Sequence, residues 1–276
     1  MSYLENLFGL KGRRIVITGA GGLLGTEFAE ALGKTGAELV LIDKDKDALE
    51  TCGAKLKAIG RSPDLFVCDL TDQENVDSII NKVSQYGSID GLINSAAINP
   101  KAESEDLNVD NFGWFSNYPL ESWCSSLDIN LTGVFIISQA VCRVMESQQP
   151  QKGVIVNLCS TYGLVGPDQS IYQDGEKTQS FYKPVDYSVT KAGILGFTRA
   201  LAAMYKGTEI RVNALTPGGV FNRHTPAFSE KYSDRTILGR MANPTEYGGA
   251  IVFLCSDASS YMTGSNLIID GGWTAL

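Results

Sequence analysis

The chain has one histidine, His224, in 276 residues, and none of its cysteines are spaced as Cys-x-x-Cys. These absences exclude a zinc knuckle and a local multi-histidine site, so no metal is expected. Cys52, Cys68, Cys124, Cys142, Cys159 and Cys255 are scattered, as reduced thiols in a cytoplasmic protein would be. Basic residues are outnumbered 23 to 31, for a net charge of −8. That balance argues against nucleic acid or an anionic membrane surface as a partner. No apolar run reaches the ~18 residues of a membrane span. Residues 1–10 carry Glu5 and lack the basic-then-apolar layout of a signal peptide. Repeats, linkers and low-complexity stretches are missing as well. One domain over 1–276 is expected, with the cytoplasm as its default location.

What is present is an alternation. Short β-branched runs (Arg14–Thr18, Glu38–Ile42, Leu65–Cys68, Asp90–Ile93, Gly153–Leu158, Ile210–Leu215 and Asn266–Ile269) are separated by amphipathic stretches. The stretches with helical character are Gly22–Gly33, Asp45–Ile59, Gln73–Tyr86, Pro119–Ser147, the run up to Tyr205, and Thr245–Cys255. Near-continuous apolar strands between helices predict a seven-stranded parallel sheet covered on both faces. The expected class is therefore an α/β, Rossmann-type, doubly wound domain.

Three polar excursions break the rhythm, near 99–121, 166–184 and 222–241, and each follows the C-terminal end of a strand. Ligands bind at that edge of such sheets, and loops this long are usually functional. Surface decoration or subunit contact is the plainer alternative. The first excursion holds Phe112, Trp114, Phe115 and Tyr118, the second Gln169, Tyr172, Gln173 and Lys183.

Between the first strand and first helix lies Thr18-Gly19-Ala20-Gly21-Gly22-Leu23-Leu24-Gly25. Glycines let backbone approach a pyrophosphate, and a helix N-terminus offers free N–H groups to it. Asp43 closes the second strand, 18 residues after Gly25. A carboxylate there accepts from a ribose 2′-OH and repels a 2′-phosphate, which favours NAD over NADP. Lys44 next door keeps NADP open, and a mere helix-capping role for Asp43 is the alternative. Further on, Tyr187 and Lys191 stand four apart, a spacing that puts them on one helix face. An ammonium beside a phenol is expected to lower the phenol's pKa and make it a usable acid/base.

Together these features resemble the short-chain dehydrogenase/reductase family, over nearly the whole chain. Asp69-Leu70 resembles the pair beside adenine, and Asn94-Ser95-Ala96-Ala97 resembles the Asn-Asn-Ala-Gly segment. Asn130 in Asp128-Ile-Asn-Leu-Thr-Gly133, Ser160 before Thr161-Tyr162-Gly163, and the Tyr187/Lys191 pair match the catalytic set. Pro217-Gly218-Gly219-Val220 matches the segment beside the nicotinamide, and Asp270-Gly271-Gly272-Trp273 the usual ending. The resemblance implies a dinucleotide on Gly19, Gly21, Gly22, Leu23, Leu24, Gly25, Asp43, Asp69, Leu70, Asn94, Ala96, Tyr187, Lys191, Pro217, Gly218 and Val220. It also implies roles: Tyr187 as proton donor, Lys191 on the ribose, Ser160 on the substrate oxygen, and Asn130 holding a water linked to Lys191.

The chain departs from the family pattern in three places. Leu23 stands where the middle glycine is usual, with Gly22 expected to supply that freedom. Asn222 replaces a threonine. Ser160 and Tyr187 are 27 apart, which marks Ser170–Pro184 as an insertion beside the reacting centre.

For the substrate, the aromatics and polar groups of the excursions suit a sugar or sugar-derived polyol. The arrangement also resembles gluconate 5-dehydrogenase and surface-sugar or flagellin-modification oxidoreductases. Expected substrate contacts are Ser160, Tyr162, Trp114, Tyr118 and His224, the last alternatively capping a lid helix. Two other readings stay open: a 3-oxoacyl-acyl-carrier-protein reductase and a dinucleotide-binding regulator without catalysis. Family members are usually tetramers or dimers, which implies a homo-oligomer through helices at 119–147 and 186–205.

Overall fold

The computed structural model describes residues 2–99, 113–173, 179 and 181–276. Phe112 and parts of the first two excursions lie outside the described residues.

Seven parallel strands form one sheet in the order β3-β2-β1-β4-β5-β6-β7. They are β1 (Arg14–Thr18), β2 (Glu38–Asp43), β3 (Asp64–Val67), β4 (Gly91–Asn94), β5 (Lys152–Leu158), β6 (Glu209–Pro217) and β7 (Asn266–Ile269). The helices are α1 (Tyr3–Phe8), α2 (Leu23–Lys34), α3 (Lys46–Ala58), α4 (Gln73–Ser84), α5 (Leu120–Leu127), α6 (Val134–Ser147), α7 (Val185–Met204), α8 (Pro226–Asp234) and α9 (Gly248–Cys255).

Side chains alternate faces along a strand, so each central strand feeds two cores. Ile15, Ile17, Leu39 and Leu41 pack with Phe28, Leu32, Ile251 and Leu254 on one face, against α2, α3 and α9. Val16, Val40, Ile42 and Ile155 pack with Val76, Ile80, Ile137 and Val141 on the other, against α4 and α6. Each fully buried aliphatic side chain contributes about 1.5–3 kcal/mol relative to exposure. Both faces being covered is what makes the strands read as unbroken apolar runs.

Three elements differ from the sequence expectation. α1 is extra, started by a capping box in which Ser2 and Glu5 satisfy each other's backbone N–H. Within 222–241, taken as irregular, Thr225 caps α8 and a proline occupies its first turn. The Thr245–Cys255 segment begins as a 3₁₀ turn, Pro244–Tyr247, before α9.

The stretch from Leu120 to Ser147 is continuous, 28 residues long, and by length and composition apolar enough to cross a membrane. Counting uninterrupted apolar runs misses it because Asp128, Arg143 and Glu146 divide the sequence. Half of its most apolar window is buried in the protein, with Ile136, Ile137, Val141 and Met145 in the core. Those contacts are what a core helix makes.

Candidate active site

β1 and β4 are neighbours whose connections leave in opposite directions, so a crevice opens beyond their C-terminal ends. Around it the wall is nearly bare main chain. Gly19 is left-handed (φ 63°), and a Cβ there would sit 2.7 Å from the backbone of Ala96. A Cβ on Gly25 would sit 2.1 Å from the carbonyl oxygen of Gly19. Gly22 does not supply the freedom expected of it. It is an ordinary extended N-cap with φ −70°, and Leu23 simply begins α2, half-exposed.

The Thr18 hydroxyl accepts from Ser95 and Ala96 N–H at 3.2 and 3.3 Å, tying the loop after β4 to β1. Asp43 closes β2 and accepts from Gly21 N–H at 2.9 Å and Asp45 N–H at 3.0 Å. Its carboxylate thus braces the glycine turn while lining a cavity of about 300 Å³ with Lys44, Asp69, Leu70 and Ala96. Backbone and side-chain hydrogen bonds from Thr71 hold the Asp69 carboxyl below the ordinary carboxylate range.

This half fits a dinucleotide. Its cradle excludes Cβ atoms, the free N–H end of α2 faces it, and a carboxylate stands at the end of β2.

Asn94, expected on the cofactor, is elsewhere. It is buried beneath the crevice and donates to Ser138 Oγ at 2.9 Å and Asn157 Oδ1 at 2.8 Å. Asn157 in turn donates to Thr198 at 3.0 Å. These groups bolt β4 and β5 to α6 and α7. The register pairing Asn94 with Asn157 brings the two amides together, which sequence spacing alone does not convey.

At the other end, Tyr187 and Lys191 are both buried on α7, and Ser160, two residues past the end of β5, favours the ionised form of the Tyr187 phenol. The Lys191 ammonium lies 5.9 Å from the Tyr187 ring centre and donates to the Leu158 carbonyl at 2.8 Å. Burial pushes the phenol up to about 12 and the ammonium down to about 8. The expected lowering of the phenol by the ammonium is therefore not the dominant effect. Loss of hydration by the charged form is the largest cause for both groups.

Asn130 sits in a π-helical turn, Asp128–Gly133, between α5 and α6. Such turns displace one residue out of helical register and are frequent at functional sites. Its Oδ1 accepts from Ile98 N–H at 2.7 Å, and its Nδ2 donates to the Ile98 carbonyl at 3.1 Å and Thr190 Oγ1 at 3.2 Å. The amide thereby clamps the loop after β4 to α7.

The glycine turn and Ser160, Tyr187 and Lys191 share one cavity of about 340 Å³ with Pro217, Gly218 and Val220. Tyr162 and His224 line it, as expected. Tyr162 is pushed up to about 12 by burial and accepts a hydrogen bond from the Tyr172 hydroxyl at 3.0 Å. His224 stacks on Phe228 at 4.9 Å, and its Nδ1 accepts from Asn222 N–H.

Trp114 and Tyr118 are not among the lining residues. Trp114 packs edge-on against Tyr182 at 4.9 Å, and Tyr118 hydrogen-bonds the buried Asp186. Both side chains lie outside the cavity wall, so these aromatics in the sequence were a poor guide to position. Asn99, Phe228, Tyr232 and Met241 line the cavity instead. Only Tyr232 leaves a trace: it stacks on Trp273 of the C-terminal motif at 4.3 Å.

The wall is pinned across the excursions. Arg235 of the third pairs with Asp168 of the second at 2.5 Å. Lys231 donates to the Ser170 and Gln173 carbonyls at 3.2 and 2.6 Å. Among the described residues, no group of three or more His, Cys, Asp or Glu side chains gathers as a metal site would.

Residues 19–274 match the family model described as enoyl-(acyl carrier protein) reductase. A 3-oxoacyl-(acyl-carrier-protein) reductase, FabG, of Thermotoga maritima is 32% identical over 95% of this chain and 98% of its own. D-threitol dehydrogenase of Mycolicibacterium smegmatis is 32% identical over 97% of this chain and 95% of its own. Among solved structures, a gluconate 5-dehydrogenase of Burkholderia cenocepacia, in complex with NADP and tartrate, superposes with TM-score 0.84 at 28% identity, covering 99% of this chain and 100% of its own. A short-chain dehydrogenase of Leptospira borgpetersenii with bound NAD+ superposes with TM-score 0.83 at 30% identity, covering 99% and 96%. The chain belongs to the short-chain dehydrogenase/reductase family. It is an NAD(P)-dependent oxidoreductase acting on alcohol groups, which sets aside the reading as a silent regulator.

Proposed function

We propose that this enzyme interconverts a secondary alcohol and a ketone on a sugar or sugar-derived polyol, with NAD preferred to NADP. The observation that carries the chemistry is the single cavity that gathers Ser160, Tyr187, Lys191 and the glycine turn. A bound nicotinamide dinucleotide supplies the hydride acceptor or donor. Gly19, Gly21, Gly22 and Gly25 with Asp43 would hold one half of it, and Lys191, Pro217, Gly218 and Val220 the other.

In the reducing direction Tyr187 gives its proton to the substrate oxygen, and Ser160 donates a hydrogen bond to that oxygen as charge develops. Lys191 lies close enough to favour the phenolate, and Asn130 fixes α7 to the loop after β4. Tyr162, Tyr172, His224 and Asn222 offer the hydroxyl and amide partners that a polyol needs. D-threitol dehydrogenase as a relative supports that substrate class.

Asp43 supports the NAD preference. Asp43→Ser should raise the NADP-to-NAD ratio of kcat/KM about tenfold, worth 1.4 kcal/mol. An unchanged ratio would remove Asp43 from that role. The decisive experiment is a panel of alditols, aldonic acids and sugar phosphates with each cofactor, following absorbance of the reduced form. Turnover of polyols supports the reading, and turnover confined to acetoacetyl thioesters overturns it. Such thioesters are the substrates of the second reading, a 3-oxoacyl-carrier reductase, which the Thermotoga relative favours.

Six unpaired thiols, five of them buried, support a reducing, cytoplasmic setting. Phe135 on α6 and Val189 on α7 are 49% and 41% exposed, beside a shallow groove lined by Leu131, Ile194 and Phe197. That apolar face supports self-association into a dimer or tetramer.

A further inference from the structure

Two further phenols stand beside the reacting one, and between them they hold a proton that no described residue accepts. Tyr172, from the insertion, donates to the Tyr162 hydroxyl at 3.0 Å. Among the described residues neither hydroxyl has another hydrogen-bond partner. Two hydroxyls that share one hydrogen bond leave one proton over, whichever of them donates. Tyr162 is 8% exposed, and a buried donor without an acceptor is destabilising. Both residues line the reacting cavity, so that is where an acceptor enters.

The pair is held from both sides. Tyr172 ends the 3₁₀ turn Gln169–Tyr172, and its ring packs on those of Phe181 and Phe228, centre to centre at 5.3 and 5.4 Å. The bonds from Lys231 to the Ser170 and Gln173 carbonyls bracket it. Tyr162 is tethered by its own N–H, which donates to the Ser160 hydroxyl at 3.2 Å. Its ring is buried in one cluster with Tyr187, Tyr232, Met241 and Trp273. The spare proton is therefore close to the serine and the phenol that handle the reacting oxygen. Burial raises both Tyr162 and Tyr172, so the pair stays neutral and protonated, a donor suited to a hydroxyl or carbonyl oxygen.

We propose that Tyr162 and Tyr172 work as one two-phenol donor for the oxygen on the carbon next to the reacting one, which makes the substrate a vicinal diol. The proposal rests on the polyol dehydrogenase reading and narrows it. Tyr162 meets the second oxygen and is the specificity residue, and Tyr172 acts through it as a positioning residue. The hydroxy ketone formed keeps that second oxygen, so the contact serves both directions of the reaction.

The test uses one carbon skeleton. It compares kcat/KM for butane-2,3-diol, butane-1,3-diol and butan-2-ol in the wild type, Tyr162→Phe, Tyr172→Phe and the double variant, with thermal unfolding to confirm that each folds. The wild type should favour butane-2,3-diol over the other two. Its ratio to butan-2-ol should fall roughly 5- to 150-fold in Tyr162→Phe, the cost of a buried hydroxyl left without its donor. In Tyr172→Phe it should fall about two- to tenfold, the worth of one neutral hydrogen bond. The double variant should match Tyr162→Phe within about twofold, because contacting residues in one network are not additive.

Calorimetric titration of butane-2,3-diol into the NADH-loaded protein gives a readout besides turnover. If all three alcohols lose activity in proportion in Tyr162→Phe, the phenol is structural and the proposal fails. It fails too if the wild type shows no preference for the vicinal diol, or neither binds it nor turns it over. Losses that multiply in the double variant would make the phenols independent and overturn the pairing. Tyr162-dependent binding of the diol with no alcohol oxidised would instead overturn the polyol dehydrogenase reading and leave this assignment standing.

Discussion

Around Gly19 and Gly25 the cleft is walled by main chain, whereas around Tyr187 it is walled by side chains drawn from β5, α7 and all three excursions. The first wall is shaped by what is missing, since a Cβ at either glycine would meet backbone at 2.7 or 2.1 Å. The second is shaped by what is buried: Tyr162, Tyr187, Lys183 and Lys191 all lie in the interior. A main-chain wall suits a ligand common to many enzymes. A side-chain wall can be rebuilt loop by loop while the strand ends stay fixed.

The sharpest way to separate the two walls is to remove one atom from the second. Tyr187→Phe should lower kcat by about 10²–10⁴-fold, the range of general acid/base catalysis, with dinucleotide affinity measured by fluorescence left within a few-fold. Retention of most turnover would take Tyr187 out of the mechanism.

The reverse break adds one atom to the first wall. Gly25→Ala should weaken dinucleotide binding by more than tenfold and destabilise the fold by about 1–3 kcal/mol, as overpacking does. An affinity equal to wild type would show that the turn has room the structure does not give it.

A third change tests the layer beneath both walls. Asn94→Ala should cost about 1–3 kcal/mol by leaving Ser138 and Asn157 short of a partner, visible in urea unfolding, while dinucleotide affinity stays put. A large loss of affinity without loss of stability would return Asn94 to the cofactor.

The smallest effect is electrostatic. The Lys191 ammonium is lowered by burial to about 8 in the folded chain from an ordinary 10.5. Between those values the unfolded chain binds the proton and the folded chain does not, so this group makes stability rise with pH over that window. The stability difference between wild type and Lys191→Met should therefore move in favour of wild type from pH 8 to about 10.5. A flat difference would place the lysine in water.

Some of this was legible from residues alone because it depends on local chemistry. The glycine turn, Asp43 ending β2 and the i, i+4 pairing of Tyr187 with Lys191 are near-neighbour patterns, and each lies where the pattern implied. Ser160 and Asn130 were found through the family resemblance. Trp114, Tyr118 and Asn94 were misplaced for one reason: their surroundings come from residues distant in the chain. Asp186 claims Tyr118, Tyr182 claims Trp114, and the β4–β5 register claims Asn94. The helix α8 was hidden because its amphipathic face packs on the C-terminal Trp273 and on the second excursion, not on the sheet.

The order of apolar and polar residues by itself determined the parallel sheet, the helices on both faces and the glycine cradle. Hydrophobic burial and backbone freedom act over a few neighbouring positions, and the sequence writes them out directly. The tertiary structure alone decided how the phenol and the two lysines are buried, and which loop residues meet them. Desolvation is a property of everything packed around a group, and here it moves the Tyr187 phenol in the direction opposite to the one that the Tyr187/Lys191 spacing announces.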